Sequence, residues 1–313
     1  MNTDILDTQL ASSFRQPGDA LKPSAFTLDA AEQWALEKAA GVSSARFRLA
    51  SFWFIDFGIQ HVPGERKTFY TMRLAQSENY GLACNLTSAM TDADETRLRR
   101  ESDTALVGED ARNILKNRRF RDNLDRAALV DLVMGHIPRP INEPLTLDQT
   151  VRDKHAIKSR LFVDEAELVL QRKGPKAIKS NAGKPHALVI GAMGSTLAEL
   201  VARGFQVVAT DMSPDIIGRS LAGVTVRDGS ENKSFIKDAD ILIVTGMTLV
   251  NGTLPALVEA AKNHNTSIMI WAVTGKNFGP YYTKQGVDCV ISDPSPFFYL
   301  PGPSSIEVWR RDA

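Results

Sequence analysis

Cysteine is scarce in this chain. Only Cys84 and Cys289 occur, far apart and each inside an apolar, strand-like segment, a pattern that speaks for two buried thiols over a disulfide or a thiolate metal pair. An excess of one charge is also lacking: Lys plus Arg and Asp plus Glu both number 37, so nothing marks a polyanionic partner and nucleic acid is not expected. No uninterrupted apolar run reaches membrane-spanning length, and the opening MNTDILDTQLASSFRQPGD has acids where a signal peptide needs a basic and then an apolar region, so no membrane contact and a cytoplasmic location are expected. The histidines His61, His136, His155, His186 and His264 are scattered without H-x-x-x-H spacing, and C-x-x-C is missing too. No metal is therefore expected. G-x-S-x-G and the P-loop are absent as well, so hydrolase and kinase readings have no motif to stand on.

What remains is a chain with 43% hydrophobic residues and length enough for two domains. Residues 1–30 are polar and broken by Pro17, Gly18 and Pro23, yet Ile5, Leu6, Leu10 and Phe14 fall at helical spacing, so this tail is expected to fold as a lid. Residues 31–145 read as a small α+β domain, with a helix over Leu28 to Ala40, strands over 46–60, 68–74 and 80–86, and helices over Asp103 to Asn117 and Leu124 to His136. The arginine runs 97–100 and 118–121 read as solvated helix faces. After Pro138, Pro140 and Pro144, residues 146–180 read as a helical connector. Residues 181–313 alternate strand and helix, with strands ending near Ile190, Thr210, Val226, Val244, Val273 and Ile291, the pattern of a Rossmann-like, doubly wound parallel sheet.

The stretch His186 to Pro214, HALVIGAMGSTLAELVARGFQVVATDMSP, is the centre of that pattern. An apolar strand leads into a turn at Gly191, Ala192, Met193 and Gly194. A helix with one apolar stripe follows, closed by Gly204, and a second strand delivers Asp211, Met212 and Ser213 at its carboxyl end. A carboxylate there is placed to accept from a ribose diol. Laid on the dinucleotide fingerprint, the turn reads G-A-M-G-S-T. Met193 thus stands where the second glycine would admit a pyrophosphate, which disfavours NAD and suits a phosphate-free adenosine such as S-adenosylmethionine.

Ligands of such sheets lie beyond the carboxyl ends of the strands, so Asp228, Thr245 to Asn251 and Thr274 to Phe278 are expected to converge with that turn. The segment TGMTLVNGT, residues 245–253, offers Thr245, Gly246, Thr248, Asn251 and Thr253, neutral donors and acceptors suited to an amino acid or nucleoside. It is equally open to reading as a turn with a helix cap. Tyr282 and Tyr299 are the aromatic faces most open to a sulfonium, while Phe297 and Phe298 read as core.

Through VIGAMGSTLAELVARGFQVVATDMSP, DADILIVTGMTLVNGTLPALVE and GPYYTKQGVD, the carboxyl half resembles the Rossmann-like domain of the putative heavy-metal chelation family, whose members pair it with an enolase-like amino-terminal domain. The resemblance implies a ligand held between the two domains. A Rossmann-type, adenosine-suited architecture with an added amino-terminal segment also resembles the bacterial azetidine-2-carboxylate synthases. That second resemblance implies S-adenosylmethionine as sole substrate, closure of its aminobutyryl arm to a four-membered ring, and release of methylthioadenosine beneath a lid. The expectation is thus an S-adenosylmethionine cyclase, alone or as a homodimer, with Thr248, Asn251, Tyr282 and Tyr299 at the chemistry. Alternatives are a non-enzymatic metal or small-ligand binding protein and a methyltransferase.

Overall fold

The structure, a computed structural model, describes residues 24–59, 68–86, 100–102, 104–140, 143–148, 150–174, 178–179, 183–293 and 303–312. The tail bearing Ile5, Leu6, Leu10 and Phe14, and the segment bearing Phe297, Phe298 and Tyr299, lie outside these residues.

The amino-terminal unit begins with α1, Leu28–Lys38, whose first turn is capped by Thr27 accepting from Ala30 N. It continues through β1 Ser51–Ile59, β2 Thr68–Gln76, β3 Tyr80–Leu86 and β4 Arg100–Ser102 to α2 Ala111–Lys116 and α3 Asn123–Gly135. The strands form an antiparallel sheet in the order β3-β2-β1-β4. Helix α3 is buried nearly all round, Asp125, Arg126 and Asp131 included, and Leu129, Val130, Leu132 and Val133 are fully buried, as befits a helix between two layers. Gly81 lets β3 approach it, because a side chain there would collide with the backbone at Ala128 and Leu132. The expected helix from Asp103 is shorter than its pattern: Asp110 caps it, accepting from Arg112 N. Arg100 opens a strand and Arg118 to Arg121 form the turn between α2 and α3, so these do not sit on helix faces, while Arg97 and Arg99 lie outside the described residues.

The second unit runs β5 Leu145–Leu147, α4 Val151–Lys173, β6 His186–Ile190, α5 Gly194–Ala202, β7 Gln206–Asp211, β8 Ser220–Leu221, β9 Val224–Asp228, α6 Asn232–Ile236, β10 Ile241–Thr245, α7 Met247–Val250, α8 Leu254–Asn263, β11 Ser267–Ala272, α9 Gly279–Lys284, β12 Cys289–Ser292 and β13 Ser304–Arg310. Its sheet has the order β5-β13-β12-β11-β10-β6-β7-β9-β8. Strands β12, β11, β10, β6, β7 and β9 are parallel. Numbered among themselves and read from the β9 side they lie 3-2-1-4-5-6, reversing between β6 and β10, which is the doubly wound Rossmann-like arrangement. Both edges are closed by antiparallel strands, β8 at one and β13 with β5 at the other.

Two boundaries differ from expectation. Helix α4, within the span read as a connector, packs on the sheet. Phe162, Val163, Ala166, Val169 and Leu170 of α4 bury against Val189, Ile243, Met269 and Ile291, making α4 and α5 one covering layer of the sheet. Leu145–Leu147 pairs with β13 and so belongs to the large sheet. On the other face Phe26, Phe47, Phe52 and Leu129 share one apolar cluster with Leu188, Val244, Ile268 and Ile270. The amino-terminal unit thus takes the place of part of a helical layer, and its core is continuous with that of the sheet. Among the described residues no helix is long and apolar enough to cross a membrane.

Candidate functional site

Three turns lie side by side along the carboxyl edge of the parallel sheet. Gly191, at φ 91°, leaves β6 so close to β10 that an added Cβ would stand 2.5 Å from Thr245 Cγ2. Gly246, in turn, leaves β10 so close to β11 that a side chain would collide with the Thr274 carbonyl. Ser292 at the end of β12 then donates its hydroxyl to Lys276 O at 2.6 Å. With strands about 4.8 Å apart, the edge from Gly191 to Asp293 spans four strands, or roughly 14 Å.

At the β6 end the polar groups read from the sequence are engaged with the chain itself. Asp211 is 9% exposed. Its Oδ2 accepts from Ala192 N and its Oδ1 from Ser213 N, each at 2.8 Å, so the carboxylate expected on a ribose fastens the two turns around it. Met212 packs against Gly229. Asp228 is exposed and accepts from Ser230 N at 2.8 Å, bonds that hold its carboxyl below the usual range. Thr248 donates to Thr245 O at 2.7 Å. Asn251 Oδ1 accepts from Thr253 N at 3.1 Å and from Thr253 Oγ1 at 2.7 Å, so Thr253 gives α8 no side-chain cap. These hydroxyls shape the turn. Tyr282 is 1% exposed and packed among Phe26, Phe278 and Tyr281, a core position and not the open ring expected. Left accessible is the start of α5: Met193 gives it no side-chain cap, and nothing stands within 4 Å of a Cβ built on Gly194.

At the β11 and β12 end the two units meet through buried polar groups. Asp131 of α3, fully buried, accepts from Leu82 N at 2.8 Å and from Asn277 N at 2.7 Å. Asn277 Nδ2 donates to Tyr80 O and Asp131 O, and Thr274 bridges to Cys84 N. Burial pushes the Asp131 carboxyl up to about 7, against the pull of Lys276 and of the two N–H donors. Lys276 lies over the Tyr80 ring, 3.8 Å from its centroid. Burial lowers its ammonium pKa, opposed by the charges of Asp131 and Glu307. Asp293, fully buried, accepts from Lys158 Nζ at 2.8 Å and Trp271 Nε1 at 3.2 Å, both on Oδ2. Arg139 pairs with Glu307 at 3.0 Å. Sequence reasoning missed Tyr80, Asp131, Arg139, Lys158, Asp293 and Glu307. One signal was present: Lys154 and Lys158 occupy the same stripe of α4 as Phe162 and Ala166, and a cation inside an apolar stripe marks a buried charge.

Comparison with known proteins reaches the middle of the chain. Residues 178–272 match the family model DUF364, described as "Putative heavy-metal chelation". A DUF364 protein of unknown function from Pyrococcus horikoshii aligns over 90% of this chain and 98% of its own at 14% identity, with a TM-score of 0.48. A second, from Desulfitobacterium hafniense DCB-2, aligns over the same shares at 13% identity and 0.48. A methyltransferase of mycinamycin biosynthesis, solved with Mg, S-adenosylhomocysteine and mycinamycin VI, aligns over 99% of this chain at 12% identity, with a TM-score of 0.24. No curated protein matches. Chelation of a heavy metal calls for converging soft or carboxylate donors. Cys84 and Cys289 are buried and free, and among the described residues no group of three or more His, Cys, Asp or Glu is placed to hold an ion. The described donor set does not fit such a centre.

Proposed function

We propose that the chain binds an adenosyl compound along the carboxyl edge of its sheet and that S-adenosylmethionine is its sole substrate, cyclised to azetidine-2-carboxylate and methylthioadenosine. The observation that carries this reading is the turn at the strand-order reversal. Its helix start is uncapped by a side chain and unobstructed at Gly194, while Met193 stands where a pyrophosphate would need glycine. A nucleoside with a thioether arm suits that surface, and a dinucleotide does not.

The reaction joins the substrate's α-amine to its own γ-carbon, breaks the bond from that carbon to sulfur, and releases one proton from nitrogen. The sulfonium leaves as the neutral thioether of methylthioadenosine. Such a displacement depends on holding nitrogen, carbon and sulfur in line and on keeping water off the sulfonium. The neutral wall of Thr245 and Gly246 leaves no carboxylate there to compete for the cation.

Incubation of the purified protein with S-adenosylmethionine alone, followed by mass spectrometry, tests the proposal. Methylthioadenosine with one equivalent of the cyclic four-carbon amino acid is the expected result. Homoserine or its lactone means breakdown without cyclisation. S-adenosylhomocysteine formed only when an acceptor is added means a methyltransferase. Tight binding of NAD, with no response to either sulfur compound, overturns the adenosyl reading altogether.

A further inference from the structure

The buried charges at the β11 and β12 end leave unmet needs of both signs. Asp293 uses only Oδ2, and its Oδ1 is buried without a hydrogen-bond partner. Arg139 uses Nη2 on Glu307, and its Nη1 is likewise buried and unpartnered. Among the described residues the Lys276 ammonium makes no hydrogen bond or ion pair, and only the Tyr80 ring lies beneath it. Orphaned polar atoms inside a protein cost about 1–3 kcal/mol each, so these two, with a half-buried ammonium that has no hydrogen bond, ask for a ligand. Tyr80 stands between them: Lys276 lies over its ring, and its hydroxyl, raised first by burial, also feels Asp131, Asp293 and Glu307. Lys276 responds to Asp131, Glu307 and Arg139. Ser292, next to Asp293, binds the Lys276 carbonyl.

A lone anion would satisfy Lys276 and Arg139 but leave Asp293 short of a donor. A lone cation would do the reverse. A headgroup carrying both an ammonium and a carboxylate answers all three. We propose that this cluster is the recognition site for an α-amino-acid group, with Lys276 and Arg139 receiving its carboxylate and Asp293 Oδ1 its ammonium. The assignment rests on the adenosyl reading for what the amino acid is attached to: with the nucleoside at the Gly194 turn, the methionyl arm runs past Gly246 and Thr274 to Lys276. It also moves amino-acid recognition away from Thr248 and Asn251, whose hydroxyl and amide oxygen are engaged within their own turn.

The test compares S-adenosylmethionine with methylthioadenosine, which lacks the amino-acid group, by calorimetric titration of the full chain and of Lys276→Gln. Lys276→Gln removes no ion pair, so its circular dichroism and melting curve should match the wild type. The expected result is that the wild type prefers S-adenosylmethionine, that Lys276→Gln weakens it about ten- to a hundredfold, and that methylthioadenosine changes less than about twofold. Equal wild-type affinity for both compounds overturns the proposal, and so does a preference that survives Lys276→Gln. If neither compound binds, it is the adenosyl reading that fails, and L-methionine followed by tryptophan fluorescence then decides the subsite. Methionine binding weakened in Lys276→Gln sustains it, and no binding overturns it.

Discussion

The two ends of the carboxyl edge differ in how their polar groups are spent. Around Gly191 and Asp211, the side chains that motif reading selects are consumed by the chain: Asp211 binds Ala192 N and Ser213 N, Thr248 binds Thr245 O, and Asn251 binds Thr253. Around Lys276 and Asp293, charges brought from α3, α4, β13 and the ends of β11 and β12 are buried or half-buried and only partly paired. The first end is polar because its turns must be held in shape. The second is polar beyond what its own folding uses, which is the mark of a site that a ligand completes.

Substitutions can break or sharpen that comparison. The largest effect should come from Asp293→Ala, which takes the carboxylate away from the Lys158 ammonium, 5% exposed. Removing one partner of a buried pair costs about 3–5 kcal/mol, to be read from guanidinium denaturation. A cost under about 1 kcal/mol would mean that this end is wetter than its burial indicates. Next stands Gly246→Ala, where the new Cβ meets the Thr274 carbonyl and the three-turn edge must open, at about 3 kcal/mol. A neutral result there would dissolve the continuity of the two ends.

Asp131→Asn comes third, at about 2 kcal/mol, because one of its two N–H partners would then face an amide N–H. It should also change the pH response. A carboxyl raised to about 7 by burial holds its proton more firmly folded than unfolded, so its contribution is full below about pH 4 and is lost as pH rises to about 7. The wild type should lose up to about 1.4 kcal/mol per pH unit across that window, and Asp131→Asn should not. Thermal melts at pH 5 and pH 8 show whether the difference is there. The smallest effect belongs to Gly194→Ala, which has open space and should stabilise the chain by about 0.5 kcal/mol while weakening any ligand seated at the start of α5.

The parallel strands were legible because they are short apolar runs between turn residues. Ile241 to Val244 is fully buried at the centre of the sheet, as an unbroken run implies, and Gly204, at φ 84°, ends α5 as expected. Layering was less legible. Helix α4 carries enough charge to pass for a spacer, since Lys154 and Lys158 interrupt its apolar stripe, and Leu145–Leu147 is too short to announce itself as a strand. Within the site, Asn251 and Thr253 satisfy each other across two residues, a local bond that composition cannot tell from a ligand contact. The charge cluster was invisible for the opposite reason: Tyr80, Asp131, Lys158, Lys276 and Asp293 are joined only by the packing of the two units.

A crystal structure of the chain soaked with S-adenosylmethionine tests the whole account most directly. The nucleoside should rest against the Gly191 to Gly194 turn, with the amino-acid group within hydrogen-bond distance of Lys276 Nζ and Asp293 Oδ1. A ligand seated elsewhere, or one whose amino-acid group turns away from Lys276 toward solvent, would contradict it.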